Sequence, residues 1–140
     1  MSEPTLVDRA RRLAEAAHDG HYRRDGVTPY ATHLAMVAHR VADDSTATAV
    51  AWLHDVLEDT DRTAMDLLES GIPQEVVDRV ALLTKLKGMD YEVYLERVKA
   101  DPIARRVKIA DMLSNLSDNP TERQILKYAR GLQVLLGDVK

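Results

Sequence analysis

Residues 52–60 read Trp52-Leu53-His54-Asp55-Val56-Leu57-Glu58-Asp59-Thr60, four ionisable side chains set inside a helical stretch whose other positions suit a protein core. Burying charge without a partner is expensive, so four such residues in an apolar helix need a common reason. Side chains four apart share a helix face, which pairs His54 with Glu58 and Asp55 with Asp59 at the inner end of one helix. One imidazole beside three carboxylates is ligand chemistry for a divalent transition ion such as Mn²⁺, Fe²⁺, Co²⁺ or Zn²⁺, and suits Mg²⁺ less, because Mg²⁺ prefers oxygen and water. The helix carrying them predicts an all-α fold.

Two other stretches point to the same place. Residues 107–116, Val107-Lys108-Ile109-Ala110-Asp111-Met112-Leu113-Ser114-Asn115-Leu116, put Asp111 and Asn115 one turn apart on a second apolar helix. Upstream, Pro29-Tyr30-Ala31-Thr32-His33 places His33 early in a third. Convergence of three helices would bring His33, His54, Asp55 and Asp111 to one ion and leave coordination positions for water and a phosphate oxygen. Each signal has a plain structural alternative. A His-Asp pair is common by chance, His33 alone suits a satisfied core histidine, and Arg23-Arg24 alone reads as a solvated loop pair. The run Arg105, Arg106, Lys108 reads as a solvated helix face, and Trp52 as core packing. His18, His21 and His39 carry no partner pattern and read as structural or surface residues.

Along the whole chain, apolar residues recur at three- and four-residue spacing with no alternating run that would mark a strand. Helices are predicted at 4–18, 30–43, 46–58, 63–70, 73–86, 90–99, 102–117 and 121–137. Ser2 before Glu3-Pro4, Asp101 before Pro102 and Asn119 before Pro120 each place a capping side chain next to a proline suited to the first turn. Gly71 followed by Ile72-Pro73 marks a stop and restart. The longest loop, from about Gly20 to Pro29, is polar, a feature more typical of functional than of connecting loops. The last helix is amphipathic and either closes the bundle or supplies part of a homo-oligomer surface.

Composition narrows the function further. At 140 residues the chain suits one domain, residues 1–140. With no cysteine, any metal must be held by nitrogen and oxygen, and a reducing cytoplasm fits. The net charge of -4 gives no global attraction to a nucleic acid polymer, while a phosphorylated small molecule remains open if cations cluster locally. No window approaches the roughly 20 apolar residues of a membrane span. With no Phe and one Trp, the core must be built from Leu, Val, Ala and Met.

In order, these motifs resemble the hydrolase domain of the RelA/SpoT family, a branch of the HD-domain metal phosphohydrolases. The likeness covers most of the chain. Residues 17–24, Ala17-His18-Asp19-Gly20-His21-Tyr22-Arg23-Arg24, are similar to the family's opening motif, and Pro29-Tyr30-Ala31-Thr32-His33 to its Pro-Tyr-x-x-His segment. His54-Asp55-Val56-Leu57-Glu58-Asp59-Thr60 resembles its most diagnostic motif, and Val107 to Asp111 with Asn115 its last metal-binding helix. The resemblance implies a compact HD-domain helical bundle with Mn²⁺ on His33, His54, Asp55 and Asp111, and Glu58 and Asp59 as the catalytic acidic pair. It further implies that Arg23 and Arg24 meet the base and phosphate of a nucleotide, with Asn115 on the substrate side. The implied reaction is removal of the 3′-pyrophosphate from guanosine tetra- or pentaphosphate. Leu34, Met112 and Ser114 stand where other members often have Pro, Arg and His, changes expected in the pocket wall. Tyr91 and Tyr94 either line the pocket, with Tyr94 against the substrate, or pack at a helix start. Two alternatives stay open: the same site acting on another nucleotide, such as a nucleoside monophosphate or a phosphorylated dinucleotide cofactor, and a catalytically silent nucleotide-binding sensor.

Overall fold

A computed structural model describes residues 4–137. These form helices α1 (Leu6–Ala17), α2 (Ala31–Arg40), α3 (Ser45–Leu53), α4 (Val56–Asp59), α5 (Ala64–Glu69), α6 (Gln74–Leu83), α7 (Tyr91–Lys99), α8 (Pro102–Leu116) and α9 (Glu122–Leu136), with no strand among the described residues. The fold is all-α, as the spacing of apolar residues predicts. No described helix is long and apolar enough to cross a membrane.

The bundle is organised around α3. Its sequence, Ser45-Thr46-Ala47-Thr48-Ala49-Val50-Ala51-Trp52-Leu53, holds no charge, and a helix that is apolar on all sides is stable only when surrounded. It packs against α1, α2, α6 and α8, and small side chains at Ala47, Ala49 and Ala51, all fully buried, give its neighbours room to approach. Trp52 is partly buried at the edge of that core. At the other end, α9 closes the bundle over α7 and α8. Gly131 makes room there: a Cβ at that position would lie 2.6 Å from Cε of the fully buried Met112, whose side chain would have to shift.

Helix ends follow local chemistry, with three differences from expectation. Asp101 caps α8 by accepting from the amides of Ile103 and Ala104, with Pro102 in the first turn. By contrast, α1 starts at Leu6 because Thr5 and Asp8 form a reciprocal capping box; Ser2 lies outside the described residues. The cap of α9 is Thr121, boxed with Gln124, and not Asn119. Asn119 instead takes a left-handed conformation at φ 48, which turns the chain two residues before the cap.

The third difference bears on function. The helix expected across 46–58 is interrupted, with α3 ending at Leu53 and α4 starting at Val56. His54 Nδ1 donates to the Ala51 carbonyl at 2.6 Å, and the His54 amide reaches the same oxygen at 3.5 Å, tightening the last turn. In an unbroken helix, consecutive side chains point about 100° apart. At the interruption His54 and Asp55 nonetheless converge, with Asp55 Oδ2 3.2 Å from His54 Nε2.

Candidate metal centre and its surroundings

Single ligand atoms of His33, His54 and Asp111 lie within 4.8 Å of one another, delivered by α2, the α3–α4 break and α8. All three residues are buried, at 2%, 3% and 6% exposure. Asp111 Oδ1 is their meeting point, 2.8 Å from His33 Nε2 and 3.3 Å from His54 Nε2. Asp55 stands beside this group, its Oδ2 3.2 Å from His54 Nε2, and the Tyr30 hydroxyl donates to that same oxygen.

The donor set fits a divalent ion. Because His54 Nδ1–H is committed to Ala51, the lone pair of the neutral ring sits on Nε2. That atom is buried with no hydrogen bond, although carboxylates of Asp55 and Asp111 stand within 3.3 Å. A lone pair facing two anions is stable only around a positive charge, whether a proton or a metal. Burial alone would depress the His54 pKa, but the two carboxylates outweigh it and hold it well above the ordinary value. Burial would raise Asp55, and the His54 charge with it brings its carboxyl down to about 2.

Lys108 supplies the next layer. Its ammonium lies 3.1 Å from Asp111 Oδ2, and although burial works the other way, this partner holds the lysine charged and the aspartate pKa well below its usual value. Lys108 is therefore not part of a solvated helix face, as its sequence neighbours suggest. Arg106 is exposed and pairs with Asp43 at 2.6 Å.

Glu58 and Asp59 sit on α4 outside the three-atom group, both exposed. Glu58 Oε1 accepts the Lys85 amide at 2.9 Å, turning it toward the α6–α7 connection. Partial burial and the charges of Asp55 and Glu58 push the Asp59 carboxyl up to about 6.

On the other flank, Gly20 and Gly26 allow the loop from 20 to 30 to fold on itself, with Tyr22 bridged to Pro29. This carries Arg23 to the end of α8. Its Nε and Nη2 donate to Asp118 Oδ2 at 3.1 and 2.9 Å, and Nη2 also donates to Asn115 Oδ1 at 3.2 Å. Asn115 in turn donates to Asp111 Oδ1 at 3.3 Å. Arg24 donates to the Asn119 carbonyl at 3.0 Å, and both arginines line a cavity of about 400 Å³ with Asp118.

Tyr94 lines a different cavity beside Lys108, but its hydroxyl is committed to the Leu83 carbonyl at 2.5 Å. Leu34, Met112 and Ser114 are fully buried and face the core, not a pocket wall; Ser114 Oγ accepts from Arg40 Nε at 3.0 Å. The sequence reading assigns no role to Tyr30 or Asp118 and takes Lys108 for part of a solvated helix face. His18, buried at 3% exposure, stacks on Tyr30 with ring centres 5.1 Å apart, and burial pulls its pKa down to about 4.

No family model matches the chain. Among curated proteins, it is 42% identical to the guanosine-3′,5′-bis(diphosphate) 3′-pyrophosphohydrolase of Haemophilus influenzae over 84% of its own length and 18% of that protein's. It is 38% identical to the bifunctional (p)ppGpp synthase/hydrolase SpoT of Escherichia coli K12, over 88% of this chain and 19% of the relative. A probable GTP pyrophosphokinase of Mycobacterium leprae is 32% identical over 94% of this chain and 18% of its own. The chain thus spans about a fifth of the length of these relatives. A solved structure described as a metazoan ortholog of SpoT that hydrolyzes ppGpp shares the fold at a TM-score of 0.77, with 23% identity, covering 98% of this chain and 87% of that one. Over 84–94% of its own length the chain is thus homologous in sequence to one part of RelA/SpoT-type proteins, and the solved structure shows that the fold is shared.

Proposed function

We propose that the chain, as a single HD-type domain over residues 1–140, is a metal-dependent phosphohydrolase that removes the 3′-pyrophosphate from guanosine tetra- and pentaphosphate. The observation that carries this reading is the buried His54 Nε2, without a hydrogen bond between two carboxylates and next to His33. The relatives named as 3′-pyrophosphohydrolases supply the substrate class.

In this reading His33, His54, Asp55 and Asp111 hold one Mn²⁺. A bound ion of this kind lowers the pKa of its water toward neutrality and offsets charge on phosphoryl oxygens. Tyr30 fixes Asp55 by donating to Oδ2, and Lys108 and Asn115 hold the two oxygens of Asp111. Asp59, with a carboxyl near pH 6, is matched to taking a proton from the attacking water, and Glu58 beside it keeps that value high. The water oxygen bonds to phosphorus as the 3′-oxygen leaves and takes up a proton. The products are guanosine di- or triphosphate and pyrophosphate. Arg23 and Arg24 suit the anionic and planar parts of the nucleotide, since guanidinium groups form paired bonds to phosphate and stack on bases. Asn115 and the ring of Tyr94 complete the substrate side.

The test is product analysis with the Mn²⁺-loaded protein. Guanosine tetraphosphate should yield guanosine diphosphate and pyrophosphate, and His54→Ala should abolish both. Turnover confined to another nucleotide in a substrate panel would keep the metal mechanism and discard this substrate. Metal binding with no turnover at all would discard the enzyme.

A further inference from the structure

Helices α7 and α9 lie side by side and run in the same direction. Lys127 Nζ is 5.0 Å from the Tyr91 ring centre, a Cβ at Gly131 would stand 3.5 Å from Leu95 Cδ1, and a Cβ at Gly137 would stand 3.6 Å from Lys99 Nζ, so matching positions climb both helices together. The groove between them is a cavity of about 520 Å³ lined by both helices, with Leu95 and Val134 among its walls. Glu92, Val93, Glu96, Leu126 and Arg130, which face outward from this pair, have no part in the phosphohydrolase reading above.

Charge is sorted by helix across this groove. Asp90, Glu92 and Glu96 stand exposed along α7, with Arg97 as the one cation among the described residues of that shallow face, whereas Arg123, Lys127 and Arg130 stand exposed along α9. Glu92, Glu96, Arg123 and Arg130 form no ion pair among the described residues. Each helix also exposes a large apolar side chain, Val93 at 53% and Leu126 at 60%. Single apolar residues on a surface are ordinary, and exposed charges are usually solvated. Two signs separated onto parallel neighbouring helices, each with an apolar residue among its charges, are a different matter. Such a face complements itself when it is turned by half a revolution.

We propose that this face docks a second copy of the chain about a two-fold axis parallel to α7 and α9, so that α7 of each copy meets α9 of the other. Rotation about such an axis keeps every residue at its own height. With Tyr91 level with Lys127, Glu92 and Glu96 stand level with Tyr128 and Leu132, which puts Arg130 of the second copy between them, roughly 3 Å along the axis from each. Val93 comes within a turn of Leu126 of the second copy, and symmetry makes both relations occur twice. Two helices about 14 and 22 Å long, each about 10 Å wide, form a smaller face than the roughly 800 Å² per partner of a standard interface. The dimer therefore belongs to the weak class, and its charge pairing makes it sensitive to salt.

Sedimentation velocity on the full chain tests this. At low salt, from micromolar to near-millimolar concentration, the mass should rise from 15.7 kDa toward twice that value, and high salt should reverse the rise. Arg130→Glu sets like charges opposite each other twice per dimer and should weaken association about tenfold or more, as should the double variant Glu92→Arg/Glu96→Arg. Mixed in equal amounts, these two variants should associate again, because each then meets opposite charges in both halves of the interface. Leu126→Ser should weaken association by itself, and all four positions are exposed, where folding is not at risk. Arg12→Glu, the same change of charge on the exposed side of α1, should leave association unchanged. A mass that stays at 15.7 kDa at every concentration overturns the proposal. So does association unmoved by Arg130→Glu and Leu126→Ser, or a failure of the two charge variants to recombine when both keep the helical circular dichroism of the wild type. The mass is read without substrate or metal, so the result is independent of whether the protein releases pyrophosphate.

Discussion

His54 Nε2 stands 3.3 Å from Asp111 Oδ1 with no hydrogen bond between them. A buried imidazole nitrogen this close to a carboxylate oxygen is an arrangement that a shared cation would relieve. A cation added there should therefore stabilise the fold as well as activate it. Mn²⁺ at a hundred times its dissociation constant is expected to add about 2.7 kcal/mol to unfolding, a rise of roughly 5–10 °C in Tm by scanning calorimetry. A chelator should reverse the rise. In Asp111→Asn the metal-dependent shift should vanish, and a shift equal to wild type would remove Asp111 from the ligand set.

Tyr30 reaches the same centre from outside. Its hydroxyl donates to Asp55 Oδ2, and its ring is held by His18, so Asp55 has little freedom to turn away from His54. Partners that orient metal ligands typically account for 10–100-fold in metal affinity or activity. Tyr30→Phe should weaken Mn²⁺ binding by about that factor while leaving the helical circular dichroism spectrum unchanged. Unaltered affinity would make the Tyr30 bond to Asp55 incidental.

How much of this was legible beforehand differs between elements. The all-α fold could be read from apolar spacing, and α8 from the Asp101-Pro102 cap, because these are local signals. His33, His54 and Asp111 could be nominated from residue type and an apolar setting, since a charged group in a core demands a partner. What could not be read was the break after Leu53, which depends on one ring nitrogen of His54 competing for the Ala51 carbonyl. Nor could sequence show that Lys108 turns inward and Arg106 outward, because a helix with charges at 105, 106 and 108 does not reveal which neighbour each will meet. The tertiary partners Asp111 and Asp43 decide that. Asp118 was invisible for a similar reason, as its partner Arg23 lies 95 residues earlier.

Asp59 gives a pH dependence whose sign follows from its surroundings. Partial burial and the charges of Asp55 and Glu58 raise its pKa from 3.8 to about 6 in the folded protein. A group raised on folding favours the protonated state, so its stabilising contribution is present below pH 3.8 and is lost as pH rises through about 6. In the metal-free protein, carboxyl carbon NMR should follow this titration near pH 6, and Glu58→Gln should lower the midpoint by removing one like charge. A bound ion favours the carboxylate, which moves the acid limb of kcat/KM to pH 6 or below. A midpoint that stays put in Glu58→Gln would deny the coupling between the two carboxylates.

Arg23 is held in one orientation by its neighbours. Asp118 Oδ2 takes two of its N–H groups and Asn115 Oδ1 takes a third contact, while its guanidinium carbon lies 5.8 Å from the Tyr30 ring centre. An arginine fixed this way presents its remaining donors in one orientation, which reduces the ordering required on binding. Lysine keeps the charge but cannot reproduce the fork, so Arg23→Lys should raise KM for the nucleotide substrate about tenfold, the order of one charge-assisted hydrogen bond, with kcat little changed. Asp118→Ala should act in the same direction through the same guanidinium, and the double variant should be no worse than Arg23→Lys alone. Steady-state kinetics on all three decides it. Additive losses would mean that Asp118 touches substrate independently, and a fall in kcat at constant KM would place Arg23 at the reacting phosphorus instead of the binding end.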